Sequence, residues 1–253
     1  MRRSIQVRVR TDDSTGGARV VHREWDPARA ALVICDMWDR AQCVSVARRA
    51  EDLAPRIDSL ATHLRREGTL IVHAPGGCMD AYRGTPARDR ALQAPWAESP
   101  APIDWNSWNC DDPAALPRTL VDVGPCACAS PESCCEAGAP YPWTRQIETI
   151  EIADDDAVTD DGQELFNLLT ARNIDDVVMV GVHANVCILG RPYGIRQLVF
   201  SGKKPILCRD LTDAVHRDPR GHAWGVDAII AHIERRWCPT VTSDELVGGQ
   251  PSA

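Results

Sequence analysis

Val177 to Gly190 reads VVMVGVHANVCILG. Its first six residues, VVMVGV (Val177 to Val182), are apolar without alternation, the pattern of a parallel strand buried on both faces rather than of a sheet with one wet side. After the short connection HANV, Cys187 opens a segment of helical spacing. A strand that feeds a helix through so short a link is the repeating unit of an open α/β sheet, and such sheets carry their chemistry at the C-terminal ends of the strands.

The same alternation extends in both directions. Upstream, a helix from about Asp161 carries Leu165, Leu168 and Leu169, and TIEIA (Thr149 to Ala153) reads as the strand before it. Downstream, the helix begun at Cys187 is expected to run to Ser201 and stop at Gly202; within it, GRPYGIRQ (Gly190 to Gln197) suggests a bend or a late start, because Pro192 removes a helical donor. PILCRD (Pro205 to Asp210) is another strand, Val226, Ile229, Ile230 and Ile233 mark a last helix, and a short strand falls near PTVTS. Toward the N-terminus, ALVICD (Ala31 to Asp36) and TLIVHAP (Thr69 to Pro75) are buried strands. Between them Leu53, Ile57, Leu60 and Leu64 mark a helix, with Pro55 tolerable only near its first turn and Gly68 as its stop. Residues 2 to 24 hold SIQVRVR and ARVVHREW on either side of DDSTGG, which fits a hairpin or edge extension.

This order predicts a three-layer α/β domain: a doubly wound, mostly parallel, Rossmann-like sheet with helices on both faces and an N-terminal hairpin extension. The chain, 1–253, reads as one domain, with an extension over 1–25 and a cysteine-rich excursion or lid over 76–143, long enough to cover or build a site. At 253 residues and 44% hydrophobic, it can bury one sizeable core. No apolar run approaches the roughly 20 residues that span a membrane, and MRRSIQVRVRTDD lacks the apolar stretch of an export signal. A net charge of −8 gives no attraction for phosphate backbones or anionic lipid. The expectation is a cytoplasmic protein acting on a small molecule, without a nucleic-acid or membrane partner. Its eleven cysteines, odd in number, read mostly as reduced thiols.

Two residues stand where chemistry is expected. Cys187 sits at a predicted helix N-terminus, where the backbone dipole favours a thiolate and nearby N–H groups can stabilise an oxyanion; the competing reading is a small buried core residue. Asp36 closes an otherwise apolar strand, where a carboxylate is costly unless partnered or used; alone, it serves equally well as a cap for a turn. If the two strands are neighbours, Asp36 and Cys187 emerge on one edge as a base and a nucleophile.

Together ALVICDMWD, TLIVHAP, VVMVGVHANVCILG and the closing TVTSDEL resemble the isochorismatase-like cysteine hydrolase superfamily, which includes nicotinamidases and N-carbamoylsarcosine amidohydrolase. The resemblance spans about Ala31 to Leu246, and its most specific piece is Gly181 to Cys187: Gly-Val, four residues, Cys. It implies Cys187 as nucleophile, Asp36 as base, a cis peptide at Val182–His183, and an oxyanion hole from the backbone N–H groups of His183 and Cys187. It further implies hydrolysis of an amide-type C–N bond, no cofactor, and a homo-oligomer.

One member of the implied triad is missing. The family's lysine maps on or near Asp154 in ADDDAVTDDG, and of the 28 Lys plus Arg only Lys203 and Lys204 are lysines, both beyond the nucleophile. Three explanations follow: an arginine substitutes, with Arg145 in PWTRQ best placed by sequence; a Cys-Asp pair suffices; or the chain is a retired small-ligand binding or scaffold protein of the same fold. A dinucleotide oxidoreductase fits the sheet but lacks a G-x-G-x-x-G turn after its first strand.

Around the site, Arg191 and Arg196 are candidates to face an anionic substrate, His183 to project into the pocket, and Trp38 to form an apolar wall or pack in the core. A nicotinamidase-type metal site is not supported, since His73 lies inside a strand and Asp80 begins no D-x-H pattern. Cys126, Cys128, Cys134 and Cys135, with Cys110 upstream, are weak zinc candidates, because C-x-C-x5-C-C is not the paired knuckle spacing; a disulfide or free thiols fit as well.

Overall fold

The computed structural model describes residues 2–10, 17–100, 102–105, 120, 142–216 and 218–248. Its centre is one eight-stranded sheet. In chain order the strands are β1 (Arg3–Arg10), β2 (Ala18–Trp25), β3 (Ala30–Cys35), β4 (Leu70–Ala74), β5 (Ala157–Val158), β6 (Asp176–Val182), β7 (Lys204–Asp213) and β8 (Thr240–Val241). The helices are α1 (Val44–Arg66), α2 (Pro86–Leu92), α3 (Gly162–Ala171), α4 (Cys187–Gly190), α5 (Ile195–Phe200), α6 (His222–Arg236) and α7 (Ser243–Val247).

Across the sheet the order is β2-β1-β8-β7-β6-β3-β4-β5. From β8 to β5 every pairing is parallel, while the β1–β2 hairpin joins antiparallel to β8. The predicted three-layer, mostly parallel architecture with an N-terminal hairpin extension is the architecture found. β3 is buried along its whole length, as the absence of alternation in ALVIC requires. Ala31, Val33 and Cys35 pack into one core layer with α3 and α6, and Ala30, Leu32 and Ile34 into the other with α1. β6 divides the same way, with Val177 and Met179 on one face and Val178, Val180 and Val182 on the other.

β3 and β6 are adjacent and in parallel register, Cys35 opposite Gly181, so their C-terminal ends meet. Gly181 has φ +101, and a Cβ there would collide with the Cys35 carbonyl oxygen. Only glycine permits this close approach of the two backbones where the strands open into the site.

Three expectations change. TIEIA is not a strand: its backbone is held by side chains, with Glu151 N–H donating to Asp58 (2.9 Å) and Ala153 N–H to Asp156 (2.8 Å), and the edge strand forms at Ala157–Val158 instead. Pro55 lies in the middle of α1, not its first turn. Its ring is on an exposed face, where the Glu51 carbonyl that loses its helical donor can turn to water. The helix expected from Cys187 to Ser201 is two short helices, α4 and α5, separated by Arg191–Gly194.

Candidate active site

Asp36 follows the last residue of β3 with φ +49, a left-handed conformation that aspartate tolerates better than most residues. It is fully buried. Oδ1 accepts from the backbone N–H of Gly76 (2.7 Å) and the hydroxyl of Tyr193 (3.0 Å), and Oδ2 accepts from Arg191 Nε (2.9 Å). The Cys187 thiol lies close enough to this carboxylate for each group to shift the other's titration. Burial pushes the Asp36 carboxyl above its usual range, and the opposing pull of Arg191, the thiol and Gly76 does not fully offset it.

Cys187 is the first residue of α4 and is almost fully buried. The Val182–His183 peptide is cis, and the backbone of His183 is close enough to the Cys187 thiol to pull its pKa down. Burial raises the thiol well above its ordinary pKa and the Asp36 charge raises it further, with Arg191 pulling the other way. The dipole expected to favour a thiolate is that of a four-residue helix, and it is outweighed. At rest Cys187 is therefore a protonated thiol beside the Asp36 carboxyl group.

The cation beside Asp36 is Arg191. It caps α4, and because Pro192 and Gly194 interrupt the helix, its side chain turns back onto the carboxylate. Burial pulls its pKa down, but Asp36 more than offsets that, so the guanidinium keeps its proton. It also lies over the Trp38 ring, 5.8 Å from the centroid. Trp38 is stacked on Trp143 (4.1 Å, 11°) and donates from Nε1 to the Gly76 carbonyl (3.0 Å). Trp38 is thus a support for Gly76 and Arg191 as well as an apolar wall.

Other candidates lie elsewhere. The Arg145 side chain is 55% exposed and pairs with Glu148 (3.6 Å), because the carbonyl of this residue is tied to Asp39 N–H (2.9 Å) on the surface. The His183 imidazole is buried among Asp213, Arg49 and His222, and burial lowers its pKa to about 4. Arg196 stacks on Trp237 (5.0 Å). Asp154 is in an exposed turn. Lys203 donates to the Ile174 carbonyl (2.8 Å), and Lys204 begins β7 opposite Asp176, a strand's length, roughly 20 Å, from the edge that bears Cys187.

His73 is buried between Gln146 (3.0 Å) and Asp156 (3.0 Å), and Asp80 is exposed and paired with Arg83 (2.5 Å). Among the described residues no group of three His, Cys, Asp or Glu side chains is arranged to hold a metal ion. Cys110, Cys126, Cys128, Cys134 and Cys135 lie outside the described residues.

Two residues of the site were not singled out from sequence: Gly76 and Tyr193. Each had a signal. Gly76 is in the PGG that ends TLIVHAP, and a Cβ there would lie 2.7 Å from Arg191 Cζ and 2.8 Å from Asp36 Oδ1. Tyr193 is the residue that the Pro192–Gly194 bracket presents.

A scan against protein-family models finds no match, and a search of curated proteins finds none either. Solved structures do match. A cysteine hydrolase from Pseudomonas syringae pv. phaseolicola 1448A is 16% identical, with 88% of this chain and 94% of that one covered at a TM-score of 0.50. An isochorismatase from Pseudomonas putida KT2440 is 14% identical, with 87% and 90% covered at 0.50. A putative isochorismatase hydrolase from Oleispira antarctica is 14% identical, with 88% and 97% covered at 0.51. The chain has the isochorismatase-like α/β fold. At these identities the likeness speaks for the fold and not for the reaction.

Proposed function

We propose that this protein is a cysteine hydrolase that cleaves an amide-type C–N bond of a small molecule. The observation that carries the proposal is the convergence on Asp36: β3 and β6 end side by side, which brings Cys187 next to a buried carboxylate held by Arg191, Tyr193 and Gly76. Asp36 takes the thiol proton as sulfur attacks the carbonyl carbon. The oxyanion that develops accepts from the backbone N–H groups of His183 and Cys187. Protonated Asp36 then gives its proton to the departing nitrogen, and the regenerated carboxylate activates water to hydrolyse the thioester. Arg191 moves no proton; it is a fixed counter-charge that keeps Asp36 ionised in a buried site.

The fold likeness to cysteine hydrolases supports the reaction class, and the excursion over 76–143 is proposed to select the substrate. A cytoplasmic, homo-oligomeric protein without a nucleic-acid or membrane partner fits the net charge of −8 and the buried thiols of Cys35, Cys78, Cys187, Cys208 and Cys238. No helix among the described residues is long and apolar enough to cross a membrane.

The test combines labelling with turnover. Iodoacetamide near neutral pH, followed by peptide mass mapping, is expected to modify Cys187, and ammonia release from a panel of small primary amides and N-carbamoyl compounds is expected to vanish in Cys187→Ser. An inert Cys187 with no turnover would instead favour a binding or scaffold protein of the same fold.

A further inference from the structure

We propose that Tyr193 is the positioning residue of Asp36: its hydroxyl donates to Oδ1 and holds the carboxylate on the Cys187 thiol while it is charged, then turns to the Ala74 carbonyl once Asp36 carries the proton. The idea rests on Asp36 and Cys187 acting as a base and nucleophile.

The geometry gives Tyr193 two acceptors and one proton. Its hydroxyl is 3.0 Å from Asp36 Oδ1 and 3.4 Å from the carbonyl oxygen of Ala74, the last residue of β4. A hydrogen bond to an ionised carboxylate is shorter and about twice as strong as one to a neutral acceptor, so the proton belongs to Asp36 in the resting state. When Asp36 becomes a carboxylic acid that preference disappears. The phenol can then rotate toward Ala74 and accept from the new acid. The buried hydroxyl keeps a partner in both states, which matters because an unpaired one would cost about 1–3 kcal/mol.

Tyr193 is 1% exposed, and its phenol is pushed up by burial and by the Asp36 charge, so it remains a donor and never competes as a base. Its position depends on the helix break. Had α4 run on, as the spacing from Cys187 predicts, residues 191 and 193 would lie on opposite sides of one helix, since two residues subtend about 200°. With the chain opened at Arg191–Gly194, both reach the same carboxylate, one on each oxygen. The turn is fixed locally: Gly194 N–H donates to the Arg191 carbonyl (2.7 Å), and Gly162 sits so close to the Pro192 carbonyl that a Cβ would collide with it.

The test reads Asp36 and Cys187 separately. Titration of Asp36 by carboxyl ¹³C NMR, assigned by its loss in Asp36→Asn, is expected to shift upward by about one pH unit in Tyr193→Phe, because one hydrogen bond to the charged form is lost. The acid limb of Cys187 alkylation by iodoacetamide is expected to move with it. Incorporation of 3-fluorotyrosine at 193, a stronger donor in an equally packed ring, is expected to shift both downward, and it decides the matter if Tyr193→Phe does not fold. Unchanged Asp36 midpoints in either variant overturn the proposal. An inert Cys187 in the native protein, with the Asp36 shift still present, would overturn the hydrolase reading and leave Tyr193 as a positioner of Asp36 alone.

Discussion

Gly76→Ala tests the site through one methyl group. Gly76 has no left-handed φ, so alanine is compatible with its backbone and the cost is all in contacts. The new Cβ would sit 2.7 Å from Arg191 Cζ and Nη2 and 2.8 Å from Asp36 Oδ1, where ordinary carbon contacts lie at about 3.5–4.0 Å, so roughly 1 Å has to be found. Asp36 is buried and held on both oxygens, and its backbone N–H is tied to the Ala74 carbonyl (2.9 Å). The guanidinium therefore yields. Overpacking of this kind costs about 1–3 kcal/mol, and a lost hydrogen bond to a charged group about 1.5–3 kcal/mol. For a chain of this size, each kcal/mol lowers Tm by about 2–4 °C, so a fall of about 5 °C or more is expected by thermal melting. With its cation displaced, Asp36 protonates more easily. The acid limb of Cys187 alkylation should therefore climb by one pH unit for about every 1.4 kcal/mol lost. A Gly76→Ala protein with the native Tm and a superimposable alkylation profile would refute the placement of Arg191 against Asp36.

Two further outcomes follow from other contacts. Arg191→Met should slow Cys187 alkylation at pH 7 by at least tenfold and Arg191→Lys by less, since the ammonium keeps the charge but not the planar fork; equal losses would show that charge is not what Arg191 supplies. Asp156 is pushed up by burial, but hydrogen bonds from His73 and Arg65 outweigh this and hold it at about 2. Its stabilisation is present above pH 4 and lost as pH falls through about 2, so urea titrations should show about 2 kcal/mol disappearing over that window. Asp156→Asn should flatten that dependence, and a parallel curve would contradict it.

The sheet was legible because β3, β4 and β6 are runs of apolar residues that only a strand with two covered faces explains. Gly181 was singled out only by the resemblance that Gly181 to Cys187 carries, and Cys187 by that and by its place at the exit from a buried strand; the crowding of Gly181 against Cys35 is visible only in the fold. The short strand β5 was missed because TIEIA has a strand's composition, but its N–H groups are satisfied by Asp58 and Asp156, which no local pattern reveals. The cation beside Asp36 was sought before Cys187, at Arg145, when it lies four residues after it. Pro192 pointed to a break in the helix, but not to the direction in which the chain would turn, and that direction is what brings Arg191 and Tyr193 to Asp36.

The placement of the lysines also governs how the molecule can be handled. Lys203 is nearly covered and Lys204 is exposed, both at the edge of the sheet remote from Cys187. Apart from the α-amino group, amine-reactive coupling has essentially one anchor. Protein immobilised through Lys204 would be held by the end of the sheet opposite Asp36 and Cys187, a uniform attachment for surface-based ligand screening.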